Sequence, residues 1–359
     1  MKKNWFIGLG LIIFIVGACS KDSGTEEPLS QNYTIVHDGL PAPNIPSDNI
    51  PTTQGVALGR RLFYEKLLSK DNSMSCASCH EQKNAFSDTD RFSIGVEGKP
   101  GKRQAMAIFN MLWNQNEFFW DGRAHLLRDQ ALMPIEDPLE MNISHEEVVE
   151  KLNAQPDYQN RFKAVFGSPE INPKRISLAL EQFMNILISN SSKYDKVLAD
   201  KADFSPQEAR GRDLFFSGFN ALNPAQSGAG CSNCHGGPNF ENNAYMNNGL
   251  DLEADIVDVG RMKVSGQAFE KGTFKVPSLR NIAVTPPYMH DGRFNTLEEV
   301  IDHYDHGIRY SSSVNSTLES IQQAGGLALT PADKQALIAF LNTLTDHEFL
   351  NNPKFSDPF

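Results

Sequence analysis

Four of the five cysteines fall into two identical patterns, Cys76-Ala77-Ser78-Cys79-His80 and Cys231-Ser232-Asn233-Cys234-His235. Cys-x-x-Cys-His is the attachment signal of c-type haem. Two thiols add across the vinyl groups of one macrocycle, and the adjacent imidazole becomes the proximal iron ligand. A zinc site made from both pairs would need no histidine after either. A thioredoxin-like pair is expected once, beside a βαβ pattern, and none is visible. A disulfide across a two-residue gap would be strained. The spacing therefore predicts two covalently bound haem c groups, held by Cys76, Cys79 and His80 and by Cys231, Cys234 and His235.

The N-terminus predicts export. Lys2 and Lys3 precede an apolar run from Trp5 to Val16, followed by Gly17-Ala18-Cys19. This is the order of a signal peptide, residues 1–18, and the run falls short of the ~20 residues that span a bilayer. Cys19 directly after small residues resembles a lipobox, so Cys19 is expected to be lipidated and to anchor a periplasmic protein to a bacterial membrane. Residues 19–51 are polar and proline-rich and read as a tether. A formal charge of −11 argues against nucleic acid as a partner.

The chain repeats itself. Gly59-Arg60-Arg61-Leu62-Phe63 precedes the first motif and Gly211-Arg212-Asp213-Leu214-Phe215 the second. Trp120-Asp121-Gly122-Arg123 follows the first and His290-Asp291-Gly292-Arg293 the second. Each half closes on a helical pattern, Ile176 to Phe183 and Ala336 to Leu341. The expected fold is mainly α, with two cytochrome c-like haem domains related by an internal repeat, at residues 52–204 and 205–350.

The repeat also carries chemistry. Thirteen residues beyond Asp121 stands Pro134, and thirteen beyond Asp291 stands Tyr304. If the helix bearing them covers the distal face of each haem, proline leaves the first iron open, whereas tyrosine closes the second as a phenolate. Met289, His290, His303 and His306 are rival ligands to the second iron.

These residues resemble the bacterial di-haem cytochrome c peroxidase family, which includes the methylamine-utilisation protein MauG. The resemblance runs from about Gly55 to Thr345. Its carriers are the two haem motifs, Phe119 to Ala124, Met133 to Met141, and Pro277-Ser278-Leu279-Arg280-Asn281 leading into Pro287 to Gly292. It implies that the first haem is peroxidatic, with Glu140 as distal carboxylate and Gln130 as distal amide. Trp120 would stand between the haems and relay an electron. Gln104, Thr285 and Pro287 fall near positions resembling an interdomain calcium site, with Gln104 where asparagine is usual. Many family members close the first iron with a histidine sixteen residues beyond the proximal one, where this chain has Val96. Tyr304 occupies a position that holds methionine in typical cytochrome c peroxidases and tyrosine in MauG. Both departures point to MauG-like wiring, with a first haem five-coordinate in every redox state.

The expected function is reduction of hydrogen peroxide to water with electrons from a small c-type cytochrome or other periplasmic donor. The alternatives are a MauG-like oxidase that uses peroxide on a protein or organic substrate, and a non-enzymatic di-haem electron carrier.

Overall fold

The computed structural model describes Met1 and residues 31–359. It is mostly helical. The strand content is one antiparallel pair among the described residues, Tyr245–Met246 with Phe274–Lys275. No helix among the described residues is long and apolar enough to cross a membrane. The proposed signal peptide and Cys19 lie outside the described residues.

Two helix pairs organise the cores. The helix Thr53–Tyr64 starts where the Thr52 hydroxyl accepts the Gly55 N–H, and it buries Val56, Leu58, Leu62 and Phe63. It crosses Pro173–Asn185, which starts behind the cap Asn172 and buries Ile176, Ala179, Leu180 and Phe183. At the crossing Gly59 has no room for a side chain, because a methyl there would overlap the Ala179 carbonyl. In the second half Pro206–Phe216 crosses Pro331–Asn342, both opened by reciprocal capping boxes. There Gly211 meets the Ala336 carbonyl in the same way. Two separate apolar cores form around these crossings.

Three segments depart from the expected domain limits. Residues 31–51 are not a tether. Tyr33 N–H bonds the Pro51 carbonyl, Leu40 is buried beside Leu112 and Trp113, and the Asn49 amide donates to Glu181 at 2.6 Å. The helix Lys193–Leu198, expected with the first domain, packs on the second core. Tyr194 lies among Phe204, Phe240 and Phe340, and Asp195 accepts two 2.8 Å bonds from the buried Arg280 guanidinium. A buried guanidinium needs that counter-charge, which decides the helix's side. The crossing between cores therefore falls near Ser189 to Ser191, short of residue 204.

The C-terminal segment returns to the first core. Asp346, almost fully buried, accepts from Ser189 Oγ and the Asn190 and Ser191 N–H groups, and turns the chain back. Phe349 and Phe355 then join the first core, Arg60 donates to the Ser356 and Pro353 carbonyls, and Tyr64 donates to the Phe355 carbonyl. The second unit's expected end at residue 350 thus cuts through a strap belonging to the first core.

Candidate functional site

Each haem motif forms a short 3₁₀ turn, Cys76–Ser78 and Cys231–Asn233, and the histidine N–H closes back onto the first cysteine's carbonyl, at 3.0 and 2.9 Å. The tight winding gathers two thiols and one imidazole at one place. All four cysteines are free thiols, and burial pushes Cys76 and Cys231 up to about 12. They are therefore neutral and protected until they react.

The imidazoles are oriented by the backbone. His80 Nδ1 donates to the Phe86 carbonyl at 2.8 Å. His235 Nδ1 faces the Pro277 and Phe240 carbonyls at 3.1 and 3.3 Å. Burial lowers both histidine pKa values, so each ring is neutral with Nε2 left for a metal. Phe86 and Phe240 hold left-handed φ values of 57° and 53°, which aim those carbonyls. Aromatic walls hold the strained residues in place. Phe63 and the strap's Phe349 flank Phe86 at 5.8 and 5.7 Å, and Tyr194 meets Phe240 edge-on at 4.9 Å.

A cavity of about 1430 Å³ opens beside Cys79 and His80 and extends between the halves. Gln130 and Pro134 line it from the helix Leu127–Glu136, with Leu127 on the same face. Glu140 and Trp120 line it too. Burial first, and Asp137 second, push the Glu140 carboxyl up to about 7 against the opposing pull of Arg123. Glu140 also acts electrostatically on Cys76 and Cys79, which places it near the first haem motif. The Trp120 indole donates to the Gln104 carbonyl at 2.8 Å, and its own carbonyl accepts the Lys275 N–H at 2.8 Å, so it is tied to both halves.

At the second motif, Tyr304 lies in a π-helical turn, His303–Gly307, packed against the second core. Burial drives its hydroxyl up to about 12, and both Cys234 and Cys231 act on it electrostatically. The rivals are placed otherwise. His290 stacks on Phe274 at 3.6 Å, His303 Nε2 is bonded to the Asn248 carbonyl at 2.9 Å, and His306 is exposed beside Asp305. Met289 lines the cavity and accepts from the Asn248 amide at 3.3 Å.

Gln104, Thr285 and Pro287 all line the cavity. The Gln104 amide nitrogen is spent on Ser87 Oγ and the Asp88 carbonyl, which leaves its oxygen as the group available to a cation. The sequence reading missed Lys275, Glu241 and Asn114, which form a polar wall of the cavity. No spacing rule marks them, because they meet only across the interface.

The family described as di-haem cytochrome c peroxidase matches residues 53–203. The chain is 38% identical over 248 residues to the cytochrome c551 peroxidase of Nitrosomonas europaea, covering 68% of this chain and 71% of that one. It is 34% identical to the methylamine utilization protein MauG of Methylorubrum extorquens, covering 83% and 80%. Among solved structures it is similar to a MauG-like protein associated with microbial copper homeostasis. That match has a TM-score of 0.80, 34% identity, and coverage of 90% of this chain and 98% of that one.

Proposed function

The chain belongs to the di-haem cytochrome c peroxidase family, and from that premise we propose how its own residues serve the reduction of hydrogen peroxide. Family membership gives it haem c and an oxidoreductase activity on peroxide. The residues present fit the cofactor. Each thiol pair adjoins an imidazole whose Nδ1 is already bonded, and the cavity beside the first pair is ample.

When bound, haem iron supplies the electrons that split the peroxide O–O bond. Glu140 carries the proposal: a carboxyl held near neutrality, on the cavity shared with His80 and Pro134. It takes a proton from one peroxide oxygen and returns it to the other, which departs as water. Gln130 holds the substrate by hydrogen bonding. Pro134 and Val96 have no side-chain donor for iron, so they would leave a haem bound at the first motif accessible, while Tyr304 would offer its hydroxyl to a haem bound at the second. Trp120 passes electrons between the halves. Two electrons from a small c-type cytochrome or comparable donor and two protons convert one peroxide into two waters.

A MauG-like oxidation of a protein or organic substrate is the second reading, favoured by tyrosine at 304 and by the relatives named MauG. The electron-carrier reading has no use for an acid beside an open site. We also read the two halves as one unit used twice. Its support is the matched glycine crossings at Gly59 and Gly211 and the matched bonds Phe118 N–H to Ala124 and Tyr288 N–H to Phe294, both 2.7 Å. Calcium between Gln104, Thr285 and Pro287, and periplasmic anchoring through Cys19, are part of the same proposal.

The test is steady-state peroxide consumption with a reduced c-type cytochrome, paired with electron paramagnetic resonance of the ferric protein. One high-spin and one low-spin centre with turnover are expected. Two low-spin centres with no turnover would leave the carrier reading in place.

A further inference from the structure

Lys275 is 6% exposed, yet no carboxylate among the described residues comes within ion-pairing distance of its ammonium. Among the described residues its ammonium's hydrogen-bond partner is the neutral amide oxygen of Asn114, at 2.5 Å. The Tyr245 ring lies 5.8 Å from the ammonium, and Glu241 and Glu117 act on it only from beyond ion-pairing distance, so no anion among the described residues touches this buried charge. A buried ammonium is better compensated when a further anion contacts it directly. The other cations around the cavity are accounted for. Arg103 is held by Asp121 and Asp258, Arg123 by Asp121, and Lys102 and Lys263 are in water. Glu241 shares the same wall, but its carboxylate accepts from the Asn239 amide at 2.6 Å.

We propose that Lys275 and Asn114 form a carboxylate seat on the wall of the interdomain cavity, and that its occupant is a propionate of the haem held by Cys79 and His80. The haem is the carboxylate-bearing group that this cavity is built to hold, because Cys79, His80 and Lys275 line one continuous space. The seat has a second connection. The Lys275 backbone N–H holds the Trp120 carbonyl at 2.8 Å, so one residue joins the cofactor's edge to the tryptophan between the halves. A positive charge there would favour the reduced iron of a haem bound in this cavity and would help to hold the group in place.

The inference rests on the haem reading but not on peroxide turnover, so its test is read without turnover. Lys275→Met and Lys275→Arg are made in the full haem-loaded chain, and haem content is counted to confirm two per chain. Lys275→Met is expected to lower the midpoint potential of one haem, leave the other unchanged, and shift the propionate bending bands in the resonance Raman spectrum. Lys275→Arg restores both. Unaltered potentials and bands in a fully loaded Lys275→Met protein would overturn the proposal. So would a wild-type potential that depends on added acetate and loses that dependence in Lys275→Met, since the seat would then belong to a solution anion.

Discussion

The backbone N–H of Val96 donates to the carbonyl of Glu140 at 2.8 Å. The position where many family members are expected to carry a ligating histidine is thus occupied by a residue that ties down the loop bearing the acid. Gly95 reinforces the tie, for it packs against the Leu139 carbonyl where a methyl would overlap. The stretch that bears Val96 therefore fixes the backbone that carries Glu140.

Replacing Glu140 with Gln is expected to leave haem content intact and cut peroxide turnover by roughly 10²–10⁴-fold, the usual worth of a positioned acid–base group. Burial raises this carboxyl to about 7, so below that pH it is protonated and cannot accept the first proton. Turnover should fall as pH drops through about 7, and that limb should vanish in E140Q. A pH–rate profile of both proteins checks it. An unchanged profile would remove Glu140 from the chemistry.

Gly95→Ala tests position rather than chemistry. The added methyl must push the Leu139–Glu140 peptide away, because the obstructing atoms are backbone and cannot rotate aside. Turnover should drop with haem content and the second haem's spectrum preserved. A G95A enzyme with native kcat would show that the loop tolerates displacement.

Tyr304→Phe is expected to strip the sixth ligand from the second haem while the first is unaltered. The optical and paramagnetic resonance spectra of the ferric protein should show a second high-spin centre. Met289, whose sulfur already accepts from Asn248, is the neighbour that would explain a spectrum remaining low-spin.

Phe349→Ala should destabilise the first half by about 3–5 kcal/mol, the usual cost of deleting a buried phenylalanine. Phe349 walls Phe86, whose carbonyl orients His80, and Gln82 donates to the Phe349 and Asn352 carbonyls. Calorimetry should show the loss, and the iron–histidine stretch of the first haem should shift while that of the second stays. A shift at both haems would contradict this one-sided coupling.

Local patterns carried what depends on neighbours in the chain. The haem motifs and the repeated stretches that carry Gly59 and Gly211 are legible because spacing and repetition act over a few residues. The packing differs from the expected tether and domain limits for a related reason. Residues 31–51 look like a linker in composition and residues 346–350 like the end of the second unit, but Asn49, Asp346 and Phe349 find partners far away in the chain. A proline-rich polar segment is disordered only if nothing distant satisfies it.

By itself, the sequence determined the covalent potential: two thiol pairs, each followed by an imidazole, and two halves that differ at Pro134 and Tyr304. Only the tertiary structure decided the environment that makes the chemistry run. Burial, and then Asp137, push the Glu140 carboxyl up to about 7, and among the described residues the Lys275 ammonium meets the Asn114 amide where no carboxylate reaches it. Desolvation and charge pairing depend on what surrounds a group in space, and no reading along the chain contains that.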